Sequence, residues 1–482
     1  MQTFINSITT QSVPRPLLYW GGLTVLSVLI AMASEFYYLA ALPAVVLIVL
    51  WSITDYRKVF YLLLFCIPLS TEFLFPNGFG TDLPTEPLMI GLMGIFIVQL
   101  VHRPQLIERD FFRHPISFLL LLHLAWILLT TFWSDNLLVS VKYLLAKLWY
   151  VIVFYWMAGH LLQNKRALNT AFWCVISALL LTLIVVNIRH ATYGFSFDTI
   201  FRVLNPFYRN HVAYACIMAV AFPFVVFAVY WYREHPKVKW FLIGVVLFLA
   251  VSIYLSYTRA AYLAVLLSGV WWVVMYYKKT LPAILLGLGI AVLSIVFLAH
   301  QNTYLEYAPD YDKTISHTEF DDLLAATYQL EDISLMERFY RWVGGFYMVQ
   351  DQPILGFGPG NFYNFYQPYT VSSFRTYVSE NPEQSGIHNY YLMVAVEQGI
   401  PGLFLFLLLC LITLLLAERA YHHCRNPLRK TLISATTLSF LTILVVLIIN
   451  DLIETDKVGT FFFLQLALLV RFDLDREKEV FI

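Results

Sequence analysis

The strongest constraint on this chain is a succession of apolar runs, each close to the roughly 20 residues that a helix needs to cross a bilayer. Candidates lie near 17–34, 36–53, 58–75, 87–101, 115–133, 143–163, 169–188, 211–232, 239–255, 260–277, 281–299, 400–417, 431–450 and 458–471. These are fourteen; the third, fourth and last are short, and twelve is the lower count. Hydrophobic residues make up 60% of the 482 and charged residues only 13%. A soluble domain carries roughly 25% charge, so most of this surface must face lipid. In lipid every backbone N–H and C=O must be satisfied internally, which leaves helices or closed barrels, and runs of this length are helical. The predicted fold class is an all-α integral membrane protein with 12–14 transmembrane helices, its first partner being the lipid bilayer. A net charge of zero excludes a nucleic-acid partner, because neutralising phosphates needs a basic excess.

Charge then orients the spans. With the N-terminus in the cytoplasm, the cytoplasmic segments collect Arg57 and Lys58, Arg103, Arg109 and Arg113, Lys165 and Arg166, Lys278 and Lys279, and the cluster from Arg419 to Lys430. Lys and Arg concentrate on the cytoplasmic side of membrane proteins. The same alternation puts the long polar stretch 300–387 outside and both termini inside. The expected organisation is a helical bundle over 1–299, an extracytoplasmic loop with short amphipathic helices over 300–399, and C-terminal helices with a cytoplasmic tail over 400–482. The first apolar run is long enough to remain as an anchor rather than be cleaved. Of the five cysteines none falls in the outer loop, which argues against a disulfide framework. No P-loop, HExxH or Cys/His cluster occurs, so neither a nucleotide, a metal nor another cofactor is expected.

Cations on the outer side are scarce and therefore informative. Arg259 sits in Ser256-Tyr257-Thr258-Arg259, where two spans meet with almost no loop. A charge at that depth is costly unless paired or facing a wet cavity. It reads either as a bidentate ligand for a phosphate or as an anchor that snorkels to water. Arg338 and Arg341 share one face of an amphipathic helix, and they read as a second phosphate clamp or as a solvated face paired with Glu337 or Asp332. His388 stands at the start of a short helix that runs to about Gln398 before Gly399-Ile400-Pro401-Gly402 breaks the chain. The field of a helix N-terminus and nearby arginines should keep its imidazole neutral and able to accept a proton. The alternative is a polar interfacial histidine. Glu397, nine residues on, points to the opposite face and should not orient His388. Asn210 and His211, at the start of the eighth span, are weaker candidates.

Three stretches at these residues together resemble the O-antigen ligase and polymerase superfamily of bacterial membrane glycosyltransferases. The first is Ser256-Tyr257-Thr258-Arg259-Ala260-Ala261-Tyr262, in which Thr258 replaces the usual serine before the arginine. The second runs from Arg338 to Trp342 and on through Pro353-Ile354-Leu355-Gly356-Phe357-Gly358-Pro359-Gly360-Asn361; Arg341 is additional to the pattern. The third is His388-Asn389-Tyr390-Tyr391-Leu392 through Glu397-Gln398-Gly399-Ile400-Pro401-Gly402-Leu403. The likeness spans roughly 130–470 and includes Ser134-Asp135 and Asn210-His211.

The resemblance implies a glycosyltransferase C-like fold and a metal-independent, inverting transfer from an undecaprenyl-diphosphate-linked glycan to an acceptor hydroxyl. His388 would be the general base. Arg259 and Arg338 would bind the diphosphate, with Arg341, outside the pattern, a further candidate for it. Asn210, His211, Tyr257, Asn361 and Asn389 would touch substrate. The acceptor would be a lipid A core, a growing glycan or a protein, making the chain a ligase, a repeat-unit polymerase or a protein O-glycosyltransferase. The location implied is the bacterial inner membrane with a periplasmic catalytic loop. A lipid-linked-oligosaccharide flippase or transporter is the reading from another class; such proteins usually show two repeated halves, whereas here polar residues gather in one late loop.

Overall fold

A computed structural model describes residues 15–34, 36–74, 80–308, 332–381 and 385–475. By internal contact the chain divides into residues 1–62 and 63–482. The first unit contains α1 (Arg15–Ser34), a 3-10 turn and α2 (Leu42–Thr54), and most of α3 (Tyr56–Cys66). The second opens, past a 3-10 turn at Ile67–Leu69, on a hairpin of β1 (Thr71–Leu74) and β2 (Gly80–Leu83), antiparallel with Glu72 opposite Asp82. It continues as α4 (Thr85–His102), α5 (Pro115–Phe132), α6 (Leu137–Leu161), α7 (Lys165–Ala191), α8 (His211–Trp231), α9 (Pro236–Tyr254), α10 (Arg259–Tyr276) and α11 (Thr280–Ala299). After the outer stretch come α12 (Ile333–Asp351), α13 (Tyr390–His423), α14 (Pro427–Val446) and α15 (Asp456–Leu474).

The protein is an all-α integral membrane protein. Ten helices among the described residues are long and apolar enough to span a bilayer, and Trp20–Ser34 and Leu39–Thr54 are apolar but shorter. The span expected near 58–75 is corrected. Its helix ends at Cys66, because Pro68 has no N–H to continue the ladder, and the chain turns into the hairpin. The boundary expected at 399–400 falls inside α13, at a break in its backbone.

The spans differ in how deeply they lie. α8 and α14 pack against each other and are largely buried, whereas α11 keeps nearly every side chain on the surface. α15 is buried along almost its whole length although it carries Asp456, Lys457, Arg471 and Asp473. Buried ions are tolerated only when paired and hydrogen-bonded. Asp456 accepts from Ser70 Oγ at 2.6 Å and Thr85 Oγ1 at 2.8 Å, and Lys457 donates to the Ser70 carbonyl at 2.9 Å. At the other end Arg471 pairs with Glu108 at 2.8 Å and Asp473 with His114 at 3.2 Å. The first end of this core helix is thus satisfied by hydrogen bonds and the Asp456–Lys457 contact, the second by pairs with residues outside the helix.

The two glycine-rich motifs of the sequence pack on each other. α13 breaks at Gly399, where φ is +71°, and the loop Pro353–Gly360 seats against the break. Ile400 N–H donates to Pro353 O at 2.8 Å, Phe357 N–H to Val396 O at 3.0 Å, and Gly358 N–H to Glu397 O at 2.9 Å. The Glu397 carboxylate accepts from the Gly360 N–H at 2.8 Å and the Phe362 N–H at 3.2 Å. Glu397 therefore secures the loop and, as its helix face indicates, does not orient His388. A Cβ on Gly356 would stand 2.5 Å from Val396 O, and one on Gly399 would collide with Ile354 O. Both positions have positive φ, so glycine is required on two grounds. Gly399→Ala should destabilise the fold by at least the ~1–3 kcal/mol of a strained left-handed residue. The measurement is the thermal unfolding of purified protein in detergent; an unchanged melting temperature would contradict this packing.

Candidate functional site

The site is assembled at the N-terminal ends of four helices, α8, α10, α12 and α13. α9 and α10 are joined by the tight turn 255–258, in which Tyr257 has φ +52° and Arg259 becomes the first residue of α10. Tyr257 is fixed by its hydroxyl, which donates to Phe195 O at 2.6 Å, and by an edge contact of its ring with Phe197 at 5.5 Å. Thr258 Oγ1 donates to His211 O at 3.3 Å, tying this turn to the start of α8. There Asn210 is the N-cap, its side chain accepting from the Ala213 N–H at 2.8 Å, and His211 follows with its ring edge-on to Phe201 at 4.7 Å. Side-chain oxygens at N-caps satisfy amides that the helix leaves open. Asn210 thus serves the helix end.

α12 begins with Asp332 as its cap. One carboxylate oxygen accepts from the Ser334 N–H at 3.2 Å and the other from Arg259 Nη2 at 2.8 Å. Asp332 is almost fully buried while the Arg259 side chain keeps 31% of its exposure, so the pair aims the guanidinium without burying it. The two arginines on α12 then part company. Arg341 is buried, pairs with Glu337 at 3.3 Å and donates to Gly386 O at 3.2 Å. Glu337 in turn accepts from Ser379 Oγ at 2.7 Å and from Thr376 Oγ1. Arg341 thus ties Gly386 to α12, and its partner Glu337 ties Thr376 and Ser379 there as well. Arg338 donates only within its own helix turn, to Ser334 O at 3.1 Å and Oγ at 2.9 Å, and its buried Nε has no hydrogen-bond partner among the described residues. Burial, countered in part by Asp332 and reinforced by Arg259 and Arg341, brings the Arg338 pKa down to about 10.

His388 completes the cluster. Asn389 caps α13, accepting from the Leu392 N–H at 3.0 Å, and His388 precedes the cap with φ +55°. Its Nδ1 is buried with no hydrogen-bond partner among the described residues. Burial, then repulsion from Arg338 and Arg341, pulls its pKa down to about 3, so the imidazole is neutral at ordinary pH. His211 lies within electrostatic reach of Arg338 and Arg259, and its Nδ1 is likewise buried and unpartnered among the described residues. The fold therefore brings Arg259, Arg338, His211 and His388 together from four separate stretches of sequence. Asn361 lies elsewhere: it is fully buried, its amide donating to Ser134 Oγ at 2.8 Å and Ser140 Oγ at 3.0 Å. Among the described residues no group of three His, Cys, Asp or Glu side chains could hold a metal ion. Lys313, an outer cation of the sequence, lies outside the described residues.

Of three further contributors, the sequence offered Asp332 only as a pairing partner of Arg338 or Arg341 and Trp342 only as a motif residue, and it did not mark Asp451. Asp332 could have been read as an N-cap before the apolar face of α12, though not as the partner of Arg259. Trp342 lies in the second motif, and its indole N–H donates to Ile387 O at 3.0 Å. Asp451 follows the end of α14 and its carboxylate packs on Gly386; burial raises its pKa, while Arg341 and Arg338 oppose the rise. No local pattern marks it.

These features define a multi-pass membrane protein with a cationic, histidine-bearing polar site at the ends of its helices. A family model described as O-Antigen ligase matches residues 243–407, which hold Arg259, Arg338, His388 and both glycine motifs. The match supports membership of the O-antigen ligase superfamily of membrane glycosyltransferases. No curated protein matches the chain.

The lowered pKa of His388 has a sign that can be tested. A group whose folded pKa lies below its unfolded value binds fewer protons when folded. Its stabilising contribution is complete above the ordinary value of 6.5 and is lost as pH falls towards about 3. His388→Asn should accordingly lose less melting temperature than wild type between pH 7 and about 4.5. Parallel acid limbs for the two proteins would show that His388 is not held neutral by the fold.

Proposed function

We propose that this chain is a bacterial inner-membrane glycosyltransferase that moves a glycan from undecaprenyl diphosphate to an acceptor hydroxyl on the periplasmic side. The observation that carries the reading is the meeting of Arg338, from α12, with Arg259, from α10, and with a neutral His388 whose buried Nδ1 has no hydrogen-bond partner among the described residues. The acceptor oxygen attacks the anomeric carbon from the face opposite the diphosphate, and its proton passes to the His388 imidazole. The bond from the anomeric carbon to the diphosphate oxygen breaks with inversion, and the electron pair leaves with the diphosphate. Arg259 and Arg338 stabilise the negative charge that grows there, as fixed cations do where charge develops in a transition state. A bound diphosphate also offsets the cations that depress the basicity of His388, so donor binding readies the base. Cations do the work that a metal would otherwise do, and the transfer is metal-independent.

An O-antigen ligase-type acceptor, a lipid A core, is the first reading; repeat-unit polymerisation and protein O-glycosylation use the same chemistry. The basic bias of the short loops supports a cytoplasmic location for both termini and a periplasmic one for the site. A flippase would need no base, which makes His388 the residue that separates the classes.

The experiment is a transfer assay on purified protein with a synthetic undecaprenyl-diphosphate glycan and candidate acceptors, following released undecaprenyl diphosphate and product mass. Wild type should release it, His388→Ala should lose roughly 10²–10⁴-fold, the usual worth of general-base catalysis, and membrane levels should be unchanged. Arg259→Lys should also be impaired, because lysine lacks the bidentate fork. EDTA should have no effect; inhibition by it would contradict the metal-free mechanism. Absence of release from well-folded wild type with every acceptor would favour the flippase.

A further inference from the structure

The backbone at His388 is held more tightly than its side chain. A φ of +55° is disfavoured for any residue with a Cβ, and such conformations persist only where the surroundings over-determine them. Here the carbonyls of the two preceding residues are both taken by adjacent side chains of α12. Arg341 Nη1 donates to Gly386 O at 3.2 Å and Trp342 Nε1 to Ile387 O at 3.0 Å. On the far side Asn389 caps α13, and the Tyr390 N–H donates to Leu447 O at 2.9 Å. Asp451 packs so closely on Gly386 that a Cβ there would collide with its carboxylate. The imidazole Nδ1, by contrast, has no hydrogen-bond partner among the described residues.

We propose that Trp342 is a positioning residue for His388, acting through the hydrogen bond from its indole N–H to the Ile387 carbonyl. This rests on the reading of His388 as the base. The Ile387 carbonyl and the His388 N–H belong to one planar peptide, so holding the carbonyl fixes the plane about which the φ of His388 is measured. Without that bond the peptide is free to turn towards the favoured negative φ, and the imidazole swings away from Arg338. Arg341, braced by Glu337, holds the carbonyl before it and cannot by itself fix this plane. The packing and the hydrogen bond of Trp342 are separable. Its half-buried ring meets Phe339 edge-on at 5.6 Å, a contact that phenylalanine can keep while losing the donor.

The test compares wild type, Trp342→Phe, His388→Ala and the double variant in the transfer assay, each purified and its melting temperature recorded. Trp342→Phe should lower kcat roughly 10- to 100-fold, the usual penalty for displacing a reacting group by about an ångström. Its KM for the donor should stay at the wild-type value, since Arg259 and Arg338 are untouched. The double variant should be no slower than His388→Ala alone. Wild-type kcat in Trp342→Phe beside an inactive His388→Ala would overturn this proposal and leave the base intact. So would a raised donor KM at unchanged kcat, a further loss in the double variant, or a lost rate fully accounted for by unfolding. Wild-type turnover in His388→Ala would instead overturn the base itself.

Discussion

The break in α13 at Gly399 is the constraint on which the rest of the site depends. A helix broken within a membrane protein frees peptide groups that lipid cannot satisfy. Here the Pro353–Gly360 loop takes them, strand-like, with the Glu397 carboxylate closing the arrangement from below. From α5, Trp126 Nε1 donates to Gln398 O at 2.9 Å and His123 meets the Gln398 side chain at 3.0 Å. The loop follows directly from α12, so docking it fixes where α12 stands relative to the start of α13. Only then can Arg341 and Trp342 reach the carbonyls in front of His388.

The protein treats buried charge in two different ways. In the core, buried ions are met by counter-ions or by hydrogen bonds: Lys147 pairs with Glu454 at 2.7 Å while lying over the rings of Tyr143 and Tyr390. The ends of α15 are satisfied in the same manner. Such pairs are costly to break and hold one arrangement of helices. At the site Arg259, Arg338 and Arg341 face Asp332, Glu337 and Asp451, and it is the direct pairing that is uneven. Asp332 steers Arg259, and Arg338 is left with only its own helix turn. Arg338 thus lies beside a neutral histidine without a direct ion pair among the described residues.

Much of this was legible in the sequence. Helices arise from local hydrogen bonds and their membrane character from local composition, so the spans could be placed from apolar run length alone. Two runs depart from this: the one near 58–75 ends where a proline and a hairpin intervene, and the one near 458–471 forms a buried, charge-bearing helix that is not among the candidate spans. Arg259, Arg338 and His388 could be singled out because cations are scarce in the segments assigned outside by charge and each of the three sits in a distinctive motif. The opposite-face argument for Glu397 needed only the 100° step of a helix.

What the sequence could not decide was which side chains meet. Arg338 and Arg341 share a helix face at three-residue spacing, yet one faces the cluster and the other is buried under the outer loop. Asn361 sits within a motif but is consumed by Ser134 and Ser140, more than two hundred residues earlier. Asp332 and Asp451 carry no motif and still shape the field at the site. The sequence by itself determined the helices, their membrane character and the chemical types available, because those follow from local spacing and solvation. The tertiary structure alone decided which charge is paired and which is left for a substrate, because that depends on distances between helices that no local pattern encodes.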